Sequence, residues 1–406
     1  MLAVAIIATL DTKGEEALYI KSIIAEQGIK PIVIDTGIKG KPAFKGDITG
    51  GEIARNARQS IQQIIAWNDR GRAITVMGLG CAHILEKLYS EGKIQGVIGL
   101  GGSGGTSIAT TAMKALPLGV PKVMVSTLAS GNTRPYVGSK DIIMFPSIVD
   151  IAGLNSISRQ ILHNAAMALC GMVKGKEIDF TNTSSARVKI GATMFGVTTP
   201  CVIQAKAILE TRGYEMLVFH ANGTGGRSLE ELVTDGVLNA VLDVTTTEIA
   251  NELFHGTFSA GPDRLEAAGK KGIPQVISLG AQDMVTFGPP EMLPDKYKGR
   301  KLHLHNPAIL LMRTNIEENR KIGQVLAEKI NLARGPVTLV IPRGGFSLMD
   351  MPGEQFYGPE EDQALIDALL SSLKPEIKVV IMPDNINSPA VAEKMAQELH
   401  ELIVAR

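Results

Sequence analysis

The chain has 406 residues, of which 45% are hydrophobic and 4% aromatic, and its 41 basic side chains balance 41 acidic ones. This length predicts two domains of about 200 residues each, and the absence of a basic stripe argues against nucleic acid as a partner. Cys81, Cys170 and Cys201 have neither a zinc-binding nor a disulfide spacing, which predicts a cytoplasmic protein, and no apolar run approaches the roughly 20 residues that span a membrane.

The first half alternates short apolar runs with amphipathic stretches, the pattern of a parallel, doubly wound sheet. The apolar N-terminus lacks a basic region before it and therefore predicts a first strand, not a signal peptide. A helix is expected from Glu15 to Gln27, ending at Gly28. We expect residues 1–180 to form an N-terminal domain, closed by a helix within 150–174. The predicted strands lie near residues 2–9, 31–35, 73–77, 95–100, 121–126 and 141–145.

A polar stretch near residues 175–186 predicts a linker, and residues 187–406 then form a C-terminal domain. Helix starts are indicated by capping-box patterns at Ser228 and Thr245, and by Ser388-Pro389 before the last helix. The predicted fold class is α/β, with two Rossmann-like doubly wound domains and mainly parallel sheets. The second half restarts with a pattern similar to the N-terminus, either through an internal duplication or because strand–helix–strand units look alike. Its predicted strands lie near residues 188–193, 215–219, 238–242, 274–278, 308–312, 336–341 and 377–382.

A glycine-rich segment after a predicted strand is the strongest functional feature of the first half. Glycines let the backbone approach a ligand, and exposed N–H groups at the start of a helix, here expected near Ser107, attract a phosphate. The segment lacks the Lys-Ser/Thr pair of a Walker A motif and the third glycine of the dinucleotide fingerprint. It predicts either a phosphate-binding nest or a tight turn without a ligand. The residues concerned are Gly101, Gly102, Ser103, Gly104, Gly105 and Thr106.

Other polar residues follow neighbouring predicted strands, and ligands of parallel sheets gather at those carboxyl ends. Thr12 and Lys13 follow the first strand, where Lys13 can meet a phosphate. Asp11 is expected to cap the next helix or to hold a metal, and Asp35 to hold ribose hydroxyls. A plain loop is the alternative for each of these segments alone. A further loop contributes Ser126, Thr127, Ser130, Gly131, Asn132, Thr133 and Arg134, with Arg134 expected at a phosphate and Asn132 and Ser126 at a ribose or base.

The second half carries its own polar strand-end loops, without the usual nucleophile-elbow or zinc-protease motifs. We predict that His220, Asp243, Asp283 and Arg343 are its catalytic residues, with a structural role as the alternative for each. His303 and His305 alternate on a strand-like segment. Two histidines are too few for a metal site without Asp283 or Asp243, and we predict that the protein has none.

The ordered motifs together resemble a family of uncharacterised bacterial and plant proteins, often labelled Tm-one-like ATP-binding. The family includes the tomato protein that confers resistance to tomato mosaic virus by inhibiting viral RNA replication. The resemblance implies two Rossmann-like domains, a homodimer, and ATP bound by Thr12, Lys13 and the loops 101–106 and 126–133. The residues alone predict only a phosphate. The motifs that carry the resemblance are Ala8–Gly14, Gly101–Thr106, Ser126–Asn132, His220–Gly226, Asp243–Glu248, Ser259–Arg264 and Pro342–Gly345.

We therefore expect a cytoplasmic ATP-binding protein, with Mg²⁺ accompanying the nucleotide. If it is an enzyme, a nucleotide-dependent transfer or ligation would act on an unknown small metabolite in the cleft between the domains. The alternatives are a non-catalytic nucleotide sensor or protein-partner-binding module, and a binder of another phosphorylated metabolite.

Overall fold

The computed structural model describes residues 1–175 and 187–406. The chain divides into two compact units, Met1–Thr183 and Ser184–Arg406, called unit 1 and unit 2 below. Apart from Gly175, the predicted linker near residues 175–186 lies outside the described residues. Within those described ranges, no helix is both long and apolar enough to cross a membrane.

Unit 1 contains one parallel sheet with the strand order β2-β1-β3-β4-β5. Its strands are β1 (Ala3–Ala8), β2 (Lys30–Asp35), β3 (Gly96–Gly101), β4 (Lys122–Ser126) and β5 (Ile143–Pro146). Its helices are α1 (Gly14–Glu26), α2 (Gly50–Asn56), α3 (Ile61–Ala66), α4 (Arg70–Ser90), α5 (Ser103–Lys114), α6 (Arg134–Val137) and α7 (Ser156–Lys174).

Helices cover both faces of this sheet, which is why β1 and β3 are buried along their whole length. Successive side chains of β1 point to opposite faces. Ile7 joins the apolar cluster that includes α2, α4 and α5, and Ile6 joins the cluster that includes α1 and α7. Strand register aligns Ala8 with Asp35 and Gly101 with Ser126, so the loops that follow these strands leave at one edge.

Two expectations for unit 1 were wrong. The apolar run 73–77 is not a strand, because it lies within α4, which Asp69 caps by accepting a hydrogen bond of 3.0 Å from the N–H of Arg72. A short apolar run does not distinguish a buried strand from a helix. Helix α5 begins at Ser103 rather than near Ser107, so two of the glycines lie in its first turn.

Unit 2 contains a six-stranded parallel sheet in the order β14-β13-β9-β8-β6-β7 and a small antiparallel sheet in the order β10-β12-β11. Its strands are β6 (Lys189–Met194), β7 (Glu215–His220), β8 (Ala240–Thr245), β9 (Gln275–Gly280), β10 (Met284–Phe287), β11 (Leu302–Asn306), β12 (Ile309–Arg313), β13 (Val337–Pro342) and β14 (Lys378–Met382). Its helices are α8 (Thr199–Thr211), α9 (Thr224–Thr234), α10 (Thr247–Leu253), α11 (Ala267–Lys271), α12 (Ile316–Ile330), α13 (Pro359–Ser372) and α14 (Pro389–Val404).

The α/β class with two mainly parallel sheets is confirmed. Reading from β7, the order β7-β6-β8-β9-β13 repeats the order of unit 1. A duplication would leave this pattern, and it is also a common order for doubly wound sheets. The antiparallel sheet interrupts the repeat between β9 and β13.

The helix starts in unit 2 were predicted with mixed success. Ser388 caps α14 by accepting a hydrogen bond from the N–H of Ala390, as expected. The other two capping boxes were wrong. Ser228 lies inside α9, which begins at Thr224, and α10 begins at Thr247 without a side-chain cap.

Candidate functional site

A cavity of about 480 Å³ lies in unit 1, at the edge of the sheet where the parallel strands end. The loops after β1, β2 and β3 form one part of its wall, and helices α3 and α4 form another. Its lining includes Thr12, Lys13 and the segment 101–105, as predicted from the strand ends. The remaining lining residues are Thr9, Asp11, Thr36, Gly37, Ile38, Lys39, Ile64, Ile65, Asn68, Asp69, Arg70, Ala73, Ile74, Met77, Ile108 and Asp150.

The N-terminus of α5 opens into this cavity. Gly102 is the N-cap, no side chain caps the helix, and its first backbone hydrogen bond runs from the N–H of Thr106 to the carbonyl of Gly102 at 2.8 Å. The N–H groups of Ser103, Gly104 and Gly105 therefore have no acceptor within the helix. Free N–H groups and the positive end of the helix dipole form an anion-binding site.

The glycines allow close packing rather than an unusual backbone angle. None of the four, Gly101, Gly102, Gly104 and Gly105, has a positive φ. A Cβ added to Gly101 would lie 2.9 Å from the Cα of Gly105, so the strand and the helix that follows approach each other too closely for a side chain there. The glycines line the cavity, and Gly101 is required by the tight strand-to-helix connection; whether the segment binds a phosphate stays a prediction.

Three cationic side chains line the same cavity. The Nζ of Lys13 donates a hydrogen bond to the carbonyl of Ile151. A Cβ added to Gly104 would lie 3.5 Å from Nη2 of Arg70, so this guanidinium lies beside the first turn of α5. The guanidinium of Arg70 has no hydrogen-bond or ion-pair partner in the part of the chain that the structure describes. Lys39 is the third cationic residue of the lining. The sequence analysis predicted neither Arg70 nor Lys39, although the Asp69-Arg70 pair at the start of a helix could have indicated Arg70.

Apolar side chains also line the cavity. Ile64 and Ile65 of α3, Ile74 and Met77 of α4, and Ile108 of α5 line it. Ile65 is 49% exposed. The cavity therefore combines a cationic end, where Arg70 lies beside the first turn of α5, with apolar lining residues, the composition of a site for a ligand with an anionic and a flat apolar part.

Two carboxylates hold the loops around the cavity. Oδ2 of Asp11 accepts hydrogen bonds from the N–H groups of Lys39 (3.3 Å) and Gly40 (3.1 Å), so Asp11 braces this loop and does not cap α1. Oδ1 of Asp35 accepts from the N–H groups of Leu10 (3.0 Å) and Gly37 (2.9 Å). Burial raises the pKa of Asp35, and these two hydrogen bonds oppose the rise. Asp35, expected to hold a ribose, is not among the residues that line the cavity.

The predicted contacts from the β4 loop do not reach the cavity. Thr106 and Ser126 are fully buried, and their hydroxyl oxygens are 2.7 Å apart, which joins the start of α5 to the end of β4. The other predicted residues of this loop lie at the same sheet edge but do not line the cavity. They are Thr127, Ser130, Gly131, Asn132, Thr133 and Arg134.

In unit 2, Asp243 is part of a buried ion-pair cluster. Arg264 donates two hydrogen bonds to Asp243, at 2.6 and 2.7 Å, and a third of 2.6 Å to Glu248. Glu248 also accepts from the N–H groups of Gly223 (2.6 Å) and Gly226 (3.1 Å) at the start of α9. A carboxylate of the protein itself therefore occupies the second glycine-rich loop.

Asp283 belongs to a second buried cluster, with Asp350, Asp362 and Arg313. Ser347 donates a hydrogen bond of 2.8 Å to Oδ2 of Asp283, whose Oδ1 has no partner. Arg313 donates one of 2.7 Å to Asp362. Burial and the charge of Asp350 raise the pKa of Asp283 to about 7 and that of Asp362 to about 9. Arg313 lies against the side chains of Asp350 and Asp362 and the carbonyl of Asp283, and the raised pKa of Asp362 keeps this carboxyl group protonated at neutral pH.

The four residues predicted as catalytic are not brought together in one open site. Asp243 and Asp283 are buried in separate clusters, whereas His220 and Arg343 are exposed. The ring of His220 stacks on that of Phe195, with 5.6 Å between centroids. Nδ1 of His303 lies 2.6 Å from the side chain of Gln355. Among residues 1–175 and 187–406, no three histidine, cysteine or acidic side chains are placed to hold a metal ion.

Comparison with protein families assigns both units. Residues 2–178 match the N-terminal domain of the uncharacterised protein family UPF0261, and residues 187–403 match its C-terminal domain. The chain belongs to the UPF0261 family. A UPF0261 protein from Clostridium tetani is 52% identical over 395 residues, which cover 97% of each chain.

Two tomato proteins among the relatives confirm the family resemblance that the sequence motifs indicated. The ToMV resistance protein Tm-1(GCR237) from Solanum lycopersicum is 43% identical over 340 residues. This match covers 82% of the UPF0261 chain described here and 45% of the tomato protein.

Solved structures are more distant. The UDP-GlcNAc 2-epimerase from Neisseria meningitidis bound to UDP-GlcNAc is 11% identical, with a TM-score of 0.24, over 68% of this chain and 82% of that one. A likeness at this level carries no argument about function.

Proposed function

We propose that unit 1 binds ATP in the cavity at the carboxyl edge of its sheet. The observation that carries the proposal is the uncapped N-terminus of α5 opening into a cavity that Arg70 and Lys13 also line. The name of the nucleotide comes from the family resemblance, whereas the cavity supports a phosphorylated ligand with an apolar part.

The phosphates would lie at the cationic end. Three N–H groups of the first turn of α5, whose residues line the cavity, have no acceptor within the helix, and a nucleotide phosphate can accept from them as in other helix-terminus sites. Arg70 presents a planar set of donors that matches phosphate oxygens in pairs, and it has no internal partner to give up. Lys13 would exchange its bond with the carbonyl of Ile151 for a phosphate oxygen.

The base would lie against the isoleucine and methionine side chains of α3, α4 and α5. Burial of an aromatic ring against aliphatic groups is favourable without directional bonds. A volume of about 480 Å³ lies within the range of roughly 300–1,000 Å³ found for small-molecule sites.

Of the three expected functions, we favour a nucleotide-responsive binding protein over an enzyme or a binder of another phosphorylated metabolite. Two of the four side chains expected to carry catalysis, Asp243 and Asp283, are buried and accept hydrogen bonds from Arg264 and Ser347. Neither carboxylate is therefore open to a substrate, and the expected catalytic set is not assembled. In this proposal ATP stabilises unit 1, the protein is a cytoplasmic homodimer, and its partner is another protein or a small metabolite.

Thermal unfolding with ATP, adenosine and inorganic phosphate tests the proposal on the wild type, Arg70→Gln and Arg72→Gln. Arg72 is the matched control, because it lies one half-turn further along α4, stacks on Trp67 and does not line the cavity. ATP at a hundredfold excess over its Kd should stabilise the wild type by roughly 2.7 kcal/mol. Loss of a charge-assisted hydrogen bond in Arg70→Gln should weaken the binding of ATP by about 1.5–3 kcal/mol and leave the binding of adenosine unchanged.

Arg72→Gln should bind ATP like the wild type. The proposal is wrong if ATP does not stabilise the wild type, or if both variants lose the same affinity. Light scattering with and without ATP separately tests the homodimer.

A further inference from the structure

The segment 147–151 beside the cavity contains a strained residue. Ile148 has a φ of +62° and is 69% exposed. The N–H of Val149 donates a hydrogen bond of 2.7 Å to the carbonyl of Ser147, which closes a three-residue γ-turn with Ile148 at its centre. A β-branched residue at positive φ is a costly conformation, and such strain concentrates at functional sites.

Bonds on both sides hold this turn in place. The N–H of Ser147 donates to the carbonyl of Ser126 at 3.1 Å, which ties the turn to the end of β4. The carbonyl of Ile151 accepts a hydrogen bond from Nζ of Lys13. Asp150 lies between these two anchors and lines the cavity. The strained turn therefore places a carboxylate residue beside the cationic end.

Three aspartates line the cavity, and two of them accept hydrogen bonds that stabilise the local fold. Asp11 accepts from the N–H groups of the 39–40 loop, and Asp69 caps α4. Asp150 is exposed and has no hydrogen-bond or ion-pair partner in the described ranges 1–175 and 187–406. Next to a phosphate, such a carboxylate is repulsive unless a cation lies between them.

From this placement we infer that Asp150 is the protein's ligand for a Mg²⁺ ion that enters with the nucleotide. The inference rests on the proposed function of the same cavity and identifies its ligand as the magnesium complex of a nucleoside triphosphate. Mg²⁺ keeps several water ligands and is usually held by one or two carboxylates together with substrate phosphates.

Isothermal titration with ATP in Mg²⁺ and in EDTA tests this role on the wild type, Asp150→Asn and Asp69→Asn. In the wild type, Mg²⁺ should tighten ATP binding by about tenfold, equivalent to 1.4 kcal/mol. Asp150→Asn should lose this gain, and in EDTA it should bind ATP at least as tightly as the wild type because the repulsion is gone. Electron paramagnetic resonance of Mn²⁺ with ATP should show the bound ion in the wild type and its loss in Asp150→Asn.

Asp69→Asn is the matched control, because asparagine also caps a helix while the same cavity loses one negative charge. It should keep the gain from Mg²⁺. A wild type that binds ATP in neither buffer overturns the proposed function. A wild type that binds equally in both, or an Asp150→Asn variant that keeps the full gain, overturns only the role of Asp150.

Discussion

Arg264 binds Asp243 through two parallel hydrogen bonds, 2.6 Å from Nη1 to Oδ2 and 2.7 Å from Nη2 to Oδ1, and both side chains are buried. The same guanidinium reaches Glu248 through Nε. Arg264 therefore neutralises one carboxylate within β8 and another in the first turn of α10, and it fixes the connection between these elements.

Replacement of Arg264 by methionine should lower the free energy of unfolding of unit 2 by about 3–5 kcal/mol, because Asp243 and Glu248 would stay buried without their cation. Urea unfolding measures the change. Arg320→Met is the control, since Arg320 forms an exposed ion pair with Glu317 and should cost less than about 1 kcal/mol. Equal costs for the two variants would contradict a structural role for the cluster.

The polar end of the cavity was predictable from the sequence because parallel strands end at one edge. Thr12, Lys13 and the glycines follow β1 and β3 directly, and register alone brings them together. The apolar wall was not predictable in the same way. The run 73–77 contains Ile74, Thr75 and Val76, whose β-branched side chains favour strands, whereas tertiary packing makes it part of α4.

The buried clusters were the larger failure of sequence reasoning. Asp243 lies near the end of β8 and Asp283 follows β9, positions typical of catalytic carboxylates, but their partners Arg264 and Ser347 are distant in sequence. Nothing in the local pattern around an aspartate tells whether an arginine will cover it. The strand β10 was missed for a related reason, because it pairs only with β12 across an intervening loop and strand.

Titration should identify one bound nucleotide per chain. In unit 1 no side chain caps the glycine-rich start of α5, whereas in unit 2 Glu248 already fills the glycine-rich start of α9. A phosphate could enter the second loop only by displacing a carboxylate that Arg264 also holds. Calorimetry with ATP should give a stoichiometry of one, and a value of two would contradict this interpretation.

Gly101→Ala should destabilise unit 1 more than Gly102→Ala. A Cβ at position 101 would lie 2.9 Å from the backbone of Gly105, whereas the nearest atom to a Cβ at position 102 is Oγ1 of Thr127 at 3.7 Å. Overpacking against backbone costs about 1–3 kcal/mol, and alanine in place of glycine at an N-cap should cost less than about 1 kcal/mol. Thermal unfolding of both variants measures the difference, and a reversed order would show that the turn relaxes around Gly101.

The stability of unit 2 should fall as the pH is raised from about 5 to 9. The folded-state pKa values of Asp283, about 7, and Asp362, about 9, lie above the ordinary value of 3.8. Between the ordinary pKa of 3.8 and the folded-state pKa of each group, the folded state holds a proton that the unfolded state has released. Raising the pH therefore favours unfolding until each folded-state pKa is passed.

Asp362→Asn keeps a neutral side chain that can accept from Arg313, so it should remove the part of this slope between about pH 7 and 9. Urea unfolding at several pH values provides the measurement. Asp367→Asn, on the exposed side of the same helix, should keep the wild-type profile. An unchanged slope in Asp362→Asn would mean that this carboxyl group is ionised in the folded protein at neutral pH.

Ile148→Gly should raise the free energy of unfolding of unit 1. At a φ of +62° an isoleucine is strained, whereas glycine adopts this angle freely, and the side chain is 69% exposed, so little apolar burial is lost. Relief of about 1–2 kcal/mol of strain should exceed the roughly 0.5–1 kcal/mol by which glycine favours the unfolded chain. Ile157→Gly, at an exposed position in the first turn of α7, should instead lower stability, because its backbone is helical and glycine is a poor helix former. Differential scanning calorimetry of the two variants compares the signs, and a loss of stability in both would show that Ile148 contributes packing that outweighs its strain.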